Sequence, residues 1–274
     1  MSAKTRRRPD AKQRFSAVVL AGSRRGVTDP VARARGARHK SLVPVAGVPM
    51  LRRVVETLGA SGAVHSVAVS LDDPTLIAED PVLASLLAAG KIRLVASAET
   101  PSRSVARAVD ALGAPWPLLV TTSDHPLLTP EMVDYFCAAS SELSADIVGA
   151  LASAKIIRRD YPDAVRTFLR FRDGRYSGCN LFALMTPASL RTVAFWGELE
   201  RHRKRPWRLF MSVGPLSALL ALAGFLTLDQ GFARLSARTG ARTVAVRMPF
   251  ADAAIDVDKP QDLDLAERIL LGRG

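Results

Sequence analysis

The stretch AVVLAGSRRGVTDPVARARGARHKSLVPVAGVPML, residues Ala17–Leu51, decides the fold. Ala17–Leu20 reads as a buried strand. The chain then turns polar, glycine-bearing and strongly basic, and recovers apolar character only at Leu42. Arg24, Arg25, Arg33, Arg35, Arg38 and Lys40 crowd together just past the strand's end. Like charges repel, so the stretch asks for a negatively charged partner. Gly22 and Gly26 let the backbone turn tightly and aim N–H groups at an anion. Neither the dinucleotide G-x-G-x-x-G nor the P-loop spacing is present, and taken alone the loop reads equally well as a glycine turn with solvated arginines.

The rest of the chain sets that strand in a sheet. Val64–Leu71, Ile92–Ala96, Leu118–Thr122 and Ile147–Leu151 are apolar runs of strand length, as expected where both faces are covered. Between them lie helical stripes: Met50, Leu51, Val54, Val55 and Leu58; then Val105, Val109 and Leu112; then Met132, Val133 and Phe136 behind a Thr129 cap and Pro130. This alternation predicts an α/β fold, a doubly wound, mostly parallel sheet of Rossmann-like type. Ligands of such sheets sit beyond the carboxyl ends of the strands. After Asp160 the pattern loosens. An added hairpin turning at Asp173-Gly174 is followed by a strand at Asn180–Leu184, a helical insertion over about 187–237, a late strand in Ala241–Met248 and a closing helix from near Pro260.

Composition narrows the partner. The chain has 274 residues, 48% hydrophobic and 23% charged, as in an ordinary globular protein, but its net charge is +12. Nucleic acid, an anionic membrane surface and phosphorylated small molecules all suit such charge; with 6% aromatic residues and no RNA-binding aromatic motif, nucleic acid is not expected. Cys137 and Cys179 offer no metal spacing and at most one disulfide, which fits a reducing cytoplasm. Residues 1–14 read as a basic flexible tail before a domain spanning 15–274. Arg201–Arg208 is a second basic run, and Leu209–Leu228 carries no charge over the ~20 residues a membrane span needs. Pro215 divides it. A buried helix pair, a peripheral membrane contact, a true span and a homo-oligomer interface through 201–228 remain open readings.

Further constellations join the basic loop. Lys40 precedes the apolar run Ser41–Leu51, which should fix its ammonium at the core's edge, where it can neutralise phosphate oxygens. Asp124, in TTSDHPLL, follows an apolar strand, and a carboxylate at a strand's carboxyl end can hold Mg²⁺. IDVDKP presents Asp256 and Asp258 on alternate faces of an extended segment, so that one of them faces the same site. His125 is expected as a hydrogen-bonded wall rather than a ligand. A basic glycine loop, a positioned lysine and separated carboxylates at strand ends suit metal-assisted chemistry on a nucleoside triphosphate.

Four segments, VVLAGSRRG, HKSLVPVAGVPML, SDHPLLTPEMVDYF and DVDKPQDLDL, taken together and in order, resemble the MobA-like NTP transferases. That family is named for the molybdenum cofactor guanylyltransferase and belongs with nucleotide-sugar pyrophosphorylases and cytidylyltransferases. The resemblance implies a fold of nucleotide-diphospho-sugar transferase type, with transfer of NMP from an NTP, CTP or GTP, to a phosphorylated small-molecule acceptor and release of pyrophosphate. It implies that Leu20, Ala21, Gly22, Ser23, Gly26, Lys40 and Asp124 bind the nucleotide, that Lys40, Arg24 and Arg25 are catalytic, and that Asp124 and Asp258 hold Mg²⁺, with Asp256 as second choice. Ser102, Arg103 and Ser104, in ETPSRSVARAVDAL, are expected near the base, Ser102 doubling as a helix N-cap. Arg170, Arg172, Gly178 and Asn180, in RFRDGRYSGCNLF, are expected to bind the acceptor. Gly22-Ser23 stands where the family has a glycine pair, Asp29-Pro30 has no assigned role, and Asp160–Met248 departs from the molybdenum enzyme, which argues against molybdopterin as acceptor. The rivals are a nucleotide-sugar-dependent glycosyltransferase of similar fold, and a non-catalytic, membrane-docked or oligomer-forming nucleotide-binding protein. The enzyme is expected in the cytoplasm, with or without membrane association.

Overall fold

The computed structural model describes residues 14–23, 28–202 and 225–272. Residues 1–13 of the basic tail, Arg24, Arg25, Gly26 and most of the uncharged run before Leu228 lie outside the described residues. Ten strands and nine α-helices are described. The strands are β1 (Phe15–Leu20), β2 (Pro44–Val45), β3 (Val48–Pro49), β4 (Val64–Leu71), β5 (Ile92–Ala96), β6 (Leu118–Thr122), β7 (Ile147–Ser153), β8 (Leu169–Phe171), β9 (Gly174–Leu184) and β10 (Thr243–Met248). The helices are α1 (Pro30–Ala34), α2 (Met50–Ala60), α3 (Pro81–Ala88), α4 (Pro101–Ala111), α5 (Pro130–Glu142), α6 (Ala154–Asp160), α7 (Ser189–His202), α8 (Leu228–Thr239) and α9 (Pro260–Leu271).

The main sheet runs β10-β7-β9-β6-β1-β4-β5, with β8 added onto β9, and β2 and β3 form a separate small ribbon. β1 pairs in parallel with both β4 and β6, β4 with β5, and β7 with β10. Only β9, with β8, runs against its neighbours. Chain order therefore reverses at β1: the chain leaves toward β4 and β5 and returns to β6 on the other flank, which makes the gap between the carboxyl ends of β1 and β6 the switch point.

Both faces are covered because the strands are apolar on both. On one face α2, α5 and α6 bury Leu51, Val54, Leu58, Met132, Phe136 and Ile157 against Val19, Leu119 and Val148. On the other, Val105 and Val109 of α4 and Val193 of α7 meet Val18 and Val120. The helices begin where local chemistry starts them. Thr129 accepts from the Met132 N–H ahead of Pro130, and Asp80 accepts from Val82 and Leu83 ahead of Pro81. Asp29-Pro30 acquires a role in the same way: Asp29 is the buried N-cap of α1, accepting from Val31 and Ala32.

Two readings of the sequence are corrected. The hairpin turning at Asp173-Gly174 forms as β8 and β9, but its second arm and the strand expected at Asn180–Leu184 are one eleven-residue strand, β9, interrupted by a bulge: Gly149 and Leu151 of β7 lie opposite Phe182 and Gly178. Extra residues on one strand swell out of the ladder. The cap of α4 is Thr100, which accepts from Arg103 N–H, whereas Ser102 lies inside the helix. Of the proposed helical insertion, α7 and α8 are described. Among the described residues no helix is long and apolar enough to cross a membrane.

Candidate active site

The switch point is built from three loops. Past β1, Ala21 donates to the Ser70 carbonyl, and Ser123 after β6 donates to the Leu20 carbonyl, so the first glycine turn and the Asp124 loop are tied side by side. Val257 donates to the Asp124 carbonyl and brings the late IDVDKP segment alongside. A Cβ on Gly22 would stand 2.9 Å from Cβ and Oγ of Ser97, so the turn passes against the end of β5 with room for hydrogen only.

Lys40 reaches this point from a short 3₁₀ turn, Lys40–Leu42. Buried His39 holds that turn: its Nδ1 accepts from Ser41 N–H at 3.2 Å and lies 2.7 Å from Ser41 Oγ, while Nε2 lies 3.3 Å from Asp72. Lys40 Nζ donates to Asp124 Oδ2 at 2.5 Å and to Asp258 Oδ1 at 3.2 Å. One ammonium thus gathers the lysine and both acids that the sequence singled out. Burial works to raise the Asp124 carboxyl pKa, but the adjacent ammonium outweighs it and holds the group below the ordinary carboxylate range. Burial likewise works to lower the Lys40 pKa and is outweighed by Asp124 and Asp258, so the net direction is upward. Both partners are therefore charged across the neutral range.

The second Asp124 oxygen is unused. Oδ1 is buried with no hydrogen-bond partner, and the Thr122 hydroxyl, near the carboxyl group without meeting hydrogen-bond geometry, favours the ionised form. An ionised oxygen left bare inside a protein is costly unless a cation or donor takes it. Among the described residues no three His, Cys, Asp or Glu side chains are grouped to hold a metal by themselves. Two carboxylates, with a ligand's phosphates completing the shell, nevertheless suit Mg²⁺, which keeps few protein ligands. The donor set fits that ion.

Asp256 and Asp258 do not alternate as expected. Ile255 and Val257 are fully buried, while Asp256 and Asp258 lie on the other side of the segment, because residues two apart on an extended chain share a face. Their partners distinguish them. Asp258 is 64% exposed and meets Lys40, and Asp262 in the first turn of α9 fixes its backbone by accepting from the N–H groups of residues 258 and 259. Asp256 is clamped: Arg166 donates to its carboxylate and to its carbonyl, the latter at 3.1 Å, and Asn180 Nδ2 donates at 2.8 Å. Asn180 reaches it from the β9 bulge at φ +48°, a conformation asparagine tolerates better than most residues.

The other expected residues separate. Ser102 is buried against α7, donating to Glu200 at 2.7 Å and lying 3.0 Å from Thr100 Oγ1; Ser104 accepts from Ala98 N–H. Arg103 is exposed and paired with Glu99. On the β8–β9 hairpin Arg170 lies directly opposite Arg175, Arg172 donates its N–H to the Leu226 carbonyl, and Gly178 faces open space. Only Asn180 of the four acceptor candidates touches the acidic segment. His125 is buried beside the cleft with the backbone of Asp252 and Ala253 next to its ring, though neither ring nitrogen meets strict hydrogen-bond geometry; burial pushes its pKa down to about 4 and keeps it neutral. Arg166 and Asp262 were not singled out. The N3 position of Asp262 after a proline-led helix start was a usable signal, whereas nothing local marks Arg166. A cavity of about 50 Å³ lined by Ser16, Ser66 and Arg93 lies at the amino ends of the strands, away from this site.

With this geometry in hand, the comparisons agree. The profile of the MobA-like NTP transferase domain matches residues 17–224. The 2-C-methyl-D-erythritol 4-phosphate cytidylyltransferase of Frankia casuarinae is 29% identical over 265 residues, covering 96% of this chain and 84% of that protein. A hypothetical transferase structure from Thermus thermophilus superposes with a TM-score of 0.72 at 27% identity, covering 92% of this chain and all of that one. The 4-diphosphocytidyl-2C-methyl-D-erythritol synthase of Anaerococcus prevotii shares the fold, with a TM-score of 0.56 at 13% identity over 95% of this chain and 97% of its own.

Proposed function

The chain belongs to the MobA-like NTP transferase family and is a nucleotidyltransferase; on that premise we propose that it transfers CMP from CTP to a phosphorylated small-molecule acceptor of polyol or sugar type, with Mg²⁺. The observation that carries this reading is the Lys40 ammonium bridging Asp124 and Asp258 at the switch point. A site whose lysine is already neutralised by acids needs only to exchange partners to receive a polyphosphate. Asp258 is the contact to yield, because it is longer and solvent-exposed.

Each group then has a task. Lys40, released toward the phosphates, neutralises charge building on the departing pyrophosphate, the kind of pre-aimed cation that matters most in a water-poor site. The Gly22 turn brings backbone against the phosphates, since no side chain fits there. Mg²⁺, held by Asp124 through its free oxygen and by Asp258, would clamp the phosphates and polarise the α-phosphorus. Asn180, and Arg170 and Arg172 on the hairpin, are the residues we assign to the acceptor phosphate. That phosphate is already a nucleophile, so no protein base is assigned. The curated relative supports CTP and a polyol phosphate by its name.

The test is direct. Protein with Mg²⁺ is heated with each of the four common NTPs. The stabilising nucleotide is then incubated with a panel of polyol and sugar phosphates, including 2-C-methyl-D-erythritol 4-phosphate, while pyrophosphate is measured. CTP should stabilise most, and one acceptor class should release pyrophosphate stoichiometrically with a CDP-linked product. Stabilisation by GTP alone would move the base assignment, and release of free sugar from a nucleotide sugar, without pyrophosphate, would overturn the reaction.

A further inference from the structure

Lys40 joins two carboxylates of the cleft, Asp124 and Asp258, and a third, Asp256, lies two residues before Asp258 on the same side of its segment. The third is held by an unusual partner. Arg166 sits in the irregular segment between α6 and β8, yet its side chain is 11% exposed and that of Asp256 13%. It grips both the carboxylate and the backbone carbonyl of Asp256, and its Nε is buried with no partner. Burying a guanidinium with a donor unsatisfied is costly, so the contact it secures has to repay that cost. Packing alone gives no such return, because an apolar side chain would fill the space more cheaply.

We propose that Arg166 is a positioning residue that, together with Asn180, locks Asp256 out of the cation site, leaving Asp124 and Asp258 as the carboxylates presented to a metal–polyphosphate. The inference rests on the nucleotidyltransferase reading of the cleft and extends it. Asp256 and Asp258 lie two residues apart on one face, roughly 7 Å along an extended chain. An unclamped Asp256 could therefore rotate into the same site. Counting charges, the cleft with Lys40, Asp124 and Asp258 is net −1, and a freed Asp256 makes it −2. That favours a bare divalent cation and disfavours a triphosphate. The clamp also joins the two halves of the site, because Asn180 belongs to the β9 bulge and Asp256 to the segment carrying Asp258. The sequence separation is 76 and 90 residues for the two contacts, so neither is a local turn feature.

Mn²⁺ binding by electron paramagnetic resonance, on the full chain without nucleotide, tests this. Arg166→Gln should bind Mn²⁺ about tenfold more tightly than wild type, the effect expected of about one further unit of negative charge near a hydrated cation. Asp256→Asn should bind no more tightly than wild type, and Arg166→Gln/Asp256→Asn should return to the wild-type value. Asn180→Gly, which keeps the backbone conformation and removes one of the two clamps, should shift affinity in the same direction by less and serves if Arg166→Gln does not fold. Asp258 and Asp124 lie within the field of Arg166, so losing its charge alone favours a cation. Arg166→Lys, which keeps the charge but cannot grip carboxylate and carbonyl together, should therefore also bind Mn²⁺ more tightly than wild type, and wild-type affinity in Arg166→Lys overturns the proposal. Arg166→Gln binding no more tightly than wild type, or tightening that survives Asp256→Asn, overturns the proposal. A wild type that binds no Mn²⁺ while Arg166→Gln does would remove the metal from the proposed function and leave this inference standing.

Discussion

Replacing Lys40 by methionine keeps most of the side chain's volume and deletes its charge, isolating the electrostatics of the cleft. The Lys40 and Asp124 side chains are 16% and 17% exposed and meet at 2.5 Å. Removing one partner of a buried pair costs about 3–5 kcal/mol, mostly because the other charge is stranded. The contact with Asp258 adds little, being longer and largely in solvent. Lys40→Met should therefore lose about 3 kcal/mol of unfolding free energy at pH 7, read by urea denaturation. The loss has a pH signature. Because Lys40 holds the Asp124 pKa below its ordinary value, the pair's contribution is complete above the unfolded carboxylate pKa of about 4 and is lost as pH falls through the lower folded value. On the alkaline side the raised Lys40 pKa preserves it until pH rises through that value. In the variant, Asp124 is buried without a cation and takes up a proton more readily, so the gap between the two proteins should already narrow as pH drops from 7 toward 4. A loss of equal size at pH 7 and pH 3, or none at pH 7, refutes this account of the pair. The nucleotidyl transfer rate should fall roughly 10²–10³-fold, as for loss of one transition-state donor.

Two further outcomes follow from single residues. His125, neutral and with its pKa pushed down to about 4, should make wild-type stability fall as pH drops from about 6.5 toward 4, by up to about 3 kcal/mol; in His125→Gln that part of the slope disappears, as paired denaturation curves would show. Gly22→Ala places a methyl 2.9 Å from Ser97, whose backbone is tied to Leu71 and Arg107, so it should cost about 1–3 kcal/mol and raise the KM for nucleotide. Gly22→Ala/Ser97→Gly should recover both in thermal melts and steady-state kinetics.

What the sequence disclosed and what it hid have physical causes. Four strands, Val64–Leu71, Ile92–Ala96, Leu118–Thr122 and the amino-terminal part of β7, were legible because a strand covered on both faces needs apolar residues throughout. Thr129-Pro130 marked its helix because a cap and a first-turn proline act within four residues. Asp124 stood out because it follows an apolar strand directly, Lys40 because an apolar run follows it, and Asp258 was separated from Asp256 only by the family resemblance. The bulge in β9 was hidden, since its cause is pairing with β7 and with the acidic segment rather than anything within RYSGCNLF. Arg166 was hidden for the same reason, as its partner is 90 residues away. The alternation assigned to Asp256 and Asp258 failed on period alone: spacing by two puts side chains together, and buried Ile255 and Val257 show which side is inside.

Isothermal titration of CTP into the protein in Mg²⁺ buffer, with wild type, Lys40→Met and Asp124→Asn compared, tests the cleft most directly. One CTP should bind per wild-type chain, and both variants should bind at least tenfold more weakly. Equal affinity in all three proteins would place the triphosphate elsewhere and contradict the account.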